Sequence, residues 1–114
     1  MFWTSDLPLR FSDTDASGYA HFSALLQLVE QAEHEWFAEA GVLLNTTESG
    51  FPRRHVEVDF MVPVLVGSRL FITLRPTFGE TSLNIEFSGR SKNPDLNGPE
   101  QPCFRGKMVI VHCR

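Results

Sequence analysis

The residues with the clearest capacity for chemistry form an acidic loop just before a long predicted helix. The loop runs Ser12-Asp13-Thr14-Asp15-Ala16-Ser17-Gly18, and the helix is predicted to begin at about Phe22. A carboxylate can act as a nucleophile or a general base, and the N–H groups at a helix N-terminus can hold a developing oxyanion. Asp-Thr-Asp before a helix is also consistent with turn formation and compensation of the helix dipole. Both interpretations remain open on the loop alone.

The element that follows the loop is a single long amphipathic helix. Apolar side chains recur at helical spacing from Phe22 to Ala40, and Gly41 stands where a helix C-terminal glycine belongs. The apolar stripe is wide, so we expect something large to cover it. One sheet is too small for that task, and we therefore expect a partner chain. The stripe contains Phe22, Leu25, Leu26, Val29, Ala32, Trp36, Phe37 and Ala40.

The other segments alternate with a period of two residues and predict strands. One precedes the helix at residues 7–11, and four follow it at 55–62, 70–76, 83–88 and 107–112. Residues 91–102 are rich in Pro, Asn and Gly and predict a loop. Short connections imply antiparallel neighbours, and one sheet on one helix is an α+β design. With 114 residues, the chain predicts a single domain over positions 1–114.

Composition excludes several classes of function. Ten Lys and Arg stand against fourteen Asp and Glu, which gives a net charge of -4 and argues against general binding to nucleic acid or anionic membranes. No apolar run is long enough to span a bilayer, and the N-terminus does not resemble a signal peptide. Cys103 and Cys113 lack the spacing of a zinc site or a disulfide framework. We expect a cytoplasmic protein with reduced cysteines.

The motif D-T-D-x-x-G at Asp13–Gly18 resembles that of hotdog-fold acyl-CoA thioesterases of the 4-hydroxybenzoyl-CoA thioesterase type. Glu30 in the helix, Gly41 at its end and the strand-proline-glycine segment at residues 58–67 are also similar to that family. The resemblance covers nearly the whole chain, about residues 7–111. It implies a curved five-stranded antiparallel sheet wrapped around one central helix. It also implies an obligate dimer, or a tetramer, with the active site between subunits.

The resemblance also implies roles for individual residues. Asp15 corresponds to the catalytic carboxylate, which attacks the thioester carbonyl or activates a water, and a backbone N–H near Phe22 holds the oxyanion. His21 is a candidate hydrogen-bond donor or general acid. The remaining candidates bind substrate. These are Gly18 and Tyr19 in the loop, Arg90 and Lys92 for coenzyme A phosphates, and Arg53 and Arg54 as second choices for the phosphates. The reaction needs no cofactor.

Several alternatives remain open at the level of sequence. The domain could be a non-catalytic acyl-binding module, or a dehydratase that uses His21 with Glu33. Glu33 stands where many relatives have Arg, and it is either a second active-site carboxylate or a buried residue paired with an Arg across the dimer. Glu30 and His34 share a helix face, but no further ligands accompany them, so we predict no metal site. The substrate could carry its acyl group on coenzyme A or on a carrier protein.

Overall fold

The computed structural model describes residues 2–41, 52–93 and 99–111. In chain order the elements are β1 (Trp3–Pro8), a 3-10 turn (Phe11–Asp13), α1 (Phe22–Ala40), β2 (Arg53–Phe60), β3 (Arg69–Phe78), β4 (Ser82–Lys92) and β5 (Gln101–Val111). The five strands form one antiparallel sheet in the order β1-β3-β4-β5-β2. The predicted α+β class, with one long helix and a five-stranded sheet, is confirmed.

Helix α1 begins and ends where the periodicity predicts. Gly41 adopts a left-handed conformation with φ of 75°, and its N–H bonds the carbonyls of Phe37 and Ala38. Most of the predicted stripe lies in the core, but Phe22 is 67% exposed and Ala40 is also exposed. The buried face instead runs along the helix from its first turn to its last, at positions about one turn apart. Its members are Ala24, Leu25, Leu28, Val29, Ala32, Glu33, Trp36 and Phe37.

The strand boundaries differ from the predicted ones. The first strand is Trp3–Pro8 rather than residues 7–11, and it is an edge strand. Strands β4 and β5 extend into the predicted loop, because the residues at both ends of that loop are paired across the sheet. Ladder pairing with neighbouring strands overrides the local Pro and Gly signals there. Residues 42–51, between α1 and β2, and residues 94–98, within the predicted loop, lie outside the described residues.

One connection departs from the rule that short links join neighbouring strands. β2 pairs with β5 and β3 pairs with β1 and β4, so the chain between Phe60 and Arg69 must cross from one side of the sheet to the other. Three strand spacings amount to about 15 Å, which eight extended residues easily span. This crossover runs past the loop that precedes α1, and it supplies the surface against which that loop is fixed.

Two glycines in the sheet are covered by phenylalanine rings from the neighbouring strand. Gly89 lies opposite Phe104, and Gly106 lies opposite Phe87. A Cβ added at Gly89 would overlap the Phe104 ring. One added at Gly106 would overlap the backbone carbonyl of Glu57 on β2 and would also stand 2.7 Å from the Phe87 ring. The two rings are 6.2 Å apart and belong to the core. Gly89 therefore makes the space that the Phe104 ring fills, whereas Gly106 is required both by a ring and by the close approach of a neighbouring backbone.

Candidate functional site

The loop before α1 is a tight turn closed by its own backbone. The N–H of Asp15 bonds the Tyr19 carbonyl at 2.8 Å, and the N–H of Gly18 bonds the Asp15 carbonyl at 3.1 Å. Gly18 has φ of 85°, a conformation that side chains rarely adopt. The main chain of Asp15 is therefore fixed on both sides.

Asp13 braces this loop. Its Oδ2 accepts a hydrogen bond from the Arg10 N–H at 2.9 Å, and its carbonyl accepts one from the His21 N–H at 2.9 Å. Both bonds tie the loop to its own ends, before and after the turn. Asp13 thus has a structural role that leaves Asp15 as the carboxylate available for chemistry.

The crossover between β2 and β3 holds the loop from outside. The Ala20 N–H bonds the Val64 carbonyl, and the Val66 N–H bonds the Gly18 carbonyl, both at 2.8 Å. Val64 is 2% exposed and belongs to the core. The loop is thereby anchored to the body of the protein through backbone bonds, which do not depend on the identity of the crossover side chains.

An open groove of about 470 Å³ lies between the loop, the start of α1 and the crossover. Asp15 and His21 are its titratable lining residues, and the remainder of the lining is apolar. The Phe22 and Phe60 rings meet edge to face, 6.2 Å apart, in this region. The apolar lining residues are Ala20, Phe22, Leu25, Phe60, Met61, Val62, Pro63 and Val64.

Asp15 carries its charge at the surface of this groove. Its Oδ1 accepts hydrogen bonds from the Ser17 hydroxyl and from the Ser17 N–H, the latter at 2.8 Å. These two donors, with smaller contributions from the Tyr19 N–H and the charge of His21, lower the pKa of Asp15 below its ordinary value despite a small opposing effect of desolvation. Asp15 is therefore ionised across the neutral range.

The N-terminus of α1 provides backbone donors beside this carboxylate. Among the described residues, the N–H groups of Phe22 and Ser23 have no backbone acceptor, and the His21 side chain does not cap them. Uncapped first-turn N–H groups at the positive end of the helix dipole favour an anionic oxygen. The groove thus combines a carboxylate, a cluster of donors and an apolar lining.

The other candidates from the sequence lie outside the lining of the groove. Tyr19 is partly exposed and pairs with Leu65 through the crossover. Arg90 forms an ion pair with Glu100 at 3.4 Å, and Lys92 is exposed at the end of β4. Contact of Arg90 and Lys92 with coenzyme A phosphates therefore stays a prediction.

Glu33 is buried and paired with an arginine, but the pairing differs from the predicted one. Its two carboxylate oxygens bind the two terminal nitrogens of Arg53, each at 2.8 Å, within the same chain rather than across a dimer. Arg53 also contacts Glu30 at 3.3 Å and the Met108 sulfur at 3.0 Å. These carboxylates raise the pKa of Arg53 against the opposing effect of burial.

This arrangement commits Arg53 and Glu33 to each other. A guanidinium shared between two carboxylates has little left to offer a phosphate, so the second-choice assignment of Arg53 to coenzyme A is not supported. Glu33 does not line the groove and is not placed to act with His21. Within the described ranges no cluster of three metal-ligating side chains occurs, and Glu30 bonds Arg53.

The sequence patterns predict no role for several residues that form the groove or hold Asp15. Ser17 is predicted only as a loop residue, although the Asp-x-Ser spacing is typical of a side-chain-to-backbone turn and could have indicated its bonds to Asp15. Phe60 and the residues at 61–64 line the groove because of the crossover, which local patterns do not reveal. Within the described residues, no helix has the length and apolar character that crossing a bilayer requires.

Comparison with known proteins gives the relationship of the chain. The model of the thioesterase superfamily matches residues 17–96. A 1,4-dihydroxy-2-naphthoyl-CoA hydrolase from Crocosphaera subtropica (strain ATCC 51142 / BH68) is 33% identical over 95 residues, which are 79% of this chain and 69% of that protein. The match to another hydrolase of the same name, from Rippkaea orientalis, spans only 51% of its length.

Solved structures share the fold. A 1,4-dihydroxy-2-naphthoyl-CoA thioesterase from Synechocystis superposes with a TM-score of 0.82 at 21% identity, over 98% of this chain and 82% of that one. A 4-hydroxybenzoyl-CoA thioesterase complexed with 4-hydroxybenzoyl-CoA superposes with a TM-score of 0.83 at 16% identity, over 97% and 83% of the two chains. The resemblance inferred from Asp13–Gly18 and the order of elements is confirmed: the chain is a hotdog-fold member of the thioesterase superfamily, a family of thioester hydrolases.

Proposed function

We propose that this protein hydrolyses an acyl-CoA thioester with an aromatic acyl group, of the 1,4-dihydroxy-2-naphthoyl-CoA type. The observation that carries the proposal is the placement of the Asp15 carboxylate beside the uncapped N-terminus of α1 in one apolar groove. Phe22 and Phe60 present aromatic surface to the same space. An aromatic acyl group fits such a lining better than a charged or strongly polar one. The names of the relatives support the same substrate class.

Two routes use these groups. In the first, Asp15 takes a proton from a water molecule whose oxygen attacks the carbonyl carbon, and the C–S bond breaks as the thiol leaves with that proton. In the second, a carboxylate oxygen of Asp15 attacks the carbonyl, expels the thiolate and forms an anhydride that water then hydrolyses. In both, the N–H groups of Phe22 and Ser23 hold the oxyanion. We assign to His21, which is exposed at the helix start, the role of a hydrogen-bond donor to the substrate.

A panel of acyl-CoA substrates with a thiol-release assay tests this proposal. The parent should release coenzyme A from aromatic acyl-CoAs, and Asp15→Asn should bind the same substrates without hydrolysing them. Asp13→Asn is the matched control, because it removes a charge two residues away that braces the loop instead. If the parent binds acyl-CoA or acyl carrier protein but releases thiol from none of them, the proposal of an enzyme is wrong and the protein is an acyl-binding module.

The proposal includes a dimer that completes the groove. β2 is an edge strand and has no buried residue, with six of its eight positions exposed. Apolar side chains on and near it are also exposed. A second copy that pairs along this edge would cover them and close the open side of the groove. These apolar side chains are Phe22, Val56, Phe60, Met61, Leu65 and Val66.

Sedimentation at micromolar concentration tests the dimer. We expect a mass at least twice 12.9 kDa, and Val56→Lys should shift the protein toward the monomer. A monomeric parent would contradict this part of the proposal.

We also propose that Arg90 and Lys92 bind the coenzyme A phosphates and that the protein is cytoplasmic. Cys103 is a buried free thiol, as expected in a reducing compartment, and Cys113 lies outside the described residues.

A further inference from the structure

We propose that Ser17 is a positioning residue that fixes the orientation of the Asp15 carboxylate. The inference rests on the proposed function of Asp15. Both donors of Ser17, its hydroxyl and its backbone N–H, bond the same atom, Asp15 Oδ1. The Tyr19 N–H makes a smaller contribution to the same carboxylate, so Ser17 supplies the main hydrogen bonds that hold it.

The need for such a residue follows from the exposure of Asp15. An exposed aspartate rotates freely about its side-chain bonds, and a carboxylate that samples several directions loses much of its effective concentration toward a bound carbonyl. The main chain of Asp15 is already fixed by Tyr19 and Gly18. The two side-chain torsions are the freedom that remains, and the Ser17 bonds restrict them.

Among the described residues, no other side chain near Asp15 is suited to this task. His21 is the charged or titratable side chain that faces Asp15 from the helix start, and Asp13 is occupied by the Arg10 N–H. From the crossover, the lining residues at 61–64 are apolar and cannot hold a carboxylate. Orientation of Asp15 therefore depends on donors within its own loop, and the Ser17 hydroxyl is the side-chain donor among them.

Three variants test the inference in the full-length protein, with an aromatic acyl-CoA as substrate. Ser17→Ala removes the hydroxyl and keeps the N–H, so we expect kcat at pH 7 to fall about tenfold while KM stays within about twofold. Asp15 is ionised at that pH in either form, so the loss measures orientation. Ser17→Thr, which keeps the hydroxyl, should restore most of the rate. Ser12→Ala, elsewhere in the exposed loop, is the matched control and should match the parent.

The pH profile separates positioning from a merely structural role. Loss of a donor to the ionised carboxylate raises its pKa, so the acidic limb of kcat/KM should move to higher pH in Ser17→Ala and return in Ser17→Thr. An active parent with an inactive Asp15→Asn, but with Ser17→Ala unchanged in both kcat and pH profile, would overturn this inference alone. So would a loss of activity that merely follows a loss of melting temperature. An inactive parent would overturn the proposed function and this inference together.

Discussion

Asp15 and Glu33 are two carboxylates placed by the same helix, one just before it and one in its middle. Asp15 is exposed, and its charge is held by neutral donors from Ser17. Glu33 is 3% exposed, and its charge is neutralised by two bonds from Arg53. Neutral donors orient a carboxylate and leave its charge available to a substrate, whereas a guanidinium paired with a buried carboxylate neutralises that charge. The first arrangement suits chemistry, and the second suits the fold.

The largest expected effect is the loss of turnover in Asp15→Asn, which removes the carboxylate assigned to the chemistry. Loss of a positioned base or nucleophile should reduce kcat by roughly two to four orders of magnitude. Because Asp15 is at the surface and the amide keeps its shape, the melting temperature should change little. Thiol-release kinetics and thermal unfolding, measured on the same samples, test both halves of the statement. A rate within a few-fold of the parent would assign the chemistry elsewhere.

The next effect is on stability, in Arg53→Met. Removal of the cation leaves Glu33 buried and unpaired, which should cost about 3 kcal/mol in the free energy of unfolding. The double variant Arg53→Met with Glu33→Met should recover most of that loss, since neither charge is then buried alone. Urea unfolding at one fixed protein concentration measures both.

Glu30→Gln is the matched control for this ion pair. It removes the more exposed partner of the same guanidinium, at 3.3 Å, and should cost no more than about 0.5 kcal/mol. Equal losses for the removal of Glu30 and of Glu33 would mean that burial does not distinguish the two contacts, and the contrast with Asp15 would then lose its basis.

A smaller effect is expected from replacing the glycines at the loop before α1 and at the C-terminal end of the helix. Gly18 and Gly41 both have positive φ, and a Cβ at either would meet no atom within 4 Å. Each substitution by Ala should therefore cost a similar amount, about 1 kcal/mol, from backbone strain alone. Only Gly18→Ala should also lower turnover, because it strains the turn that carries Asp15. Equal activity in the two variants would show that the conformation of this turn does not control the reaction.

The smallest effect is the dependence of stability on pH. The pKa of Asp15 is lower in the folded protein than its ordinary value of 3.8. Its contribution to stability is therefore present above that value and is lost as the pH falls through the lower, folded pKa. Asp15→Asn should flatten the urea midpoint against pH below about pH 4. An unchanged slope in that range would mean that Ser17 does not favour the ionised form.

The sequence predicted those features that depend on local pattern. The period of the apolar residues and Gly41 place α1 at its observed ends. The partner of Glu33 was not predictable in the same way. Arg53 lies twenty residues further along the chain, and only the tertiary fold brings the start of β2 beside the middle of α1.

The groove illustrates the same limit. Asp15 and the helix start are neighbours in sequence, so their proximity could be predicted. Phe60 and the crossover residues reach them through a strand order that places β2 beside β5 instead of β3. Short connections predict adjacent strands, and this connection is short but does not join neighbours. The apolar half of the site therefore depends on tertiary structure alone.

The paired glycines and rings of the sheet have a consequence for how this sequence can change. Gly89 and Phe104 share one volume, as do Gly106 and Phe87. A side chain gained at Gly89 must be offset by a smaller one at position 104, since the Phe104 ring occupies the space that it would need. A side chain gained at Gly106 would also meet the backbone carbonyl of Glu57, which a smaller residue at position 87 does not remove. We expect relatives to vary at positions 89 and 104 as a coupled pair, with a large residue on one strand matched by a small one on the next, and to keep glycine at position 106.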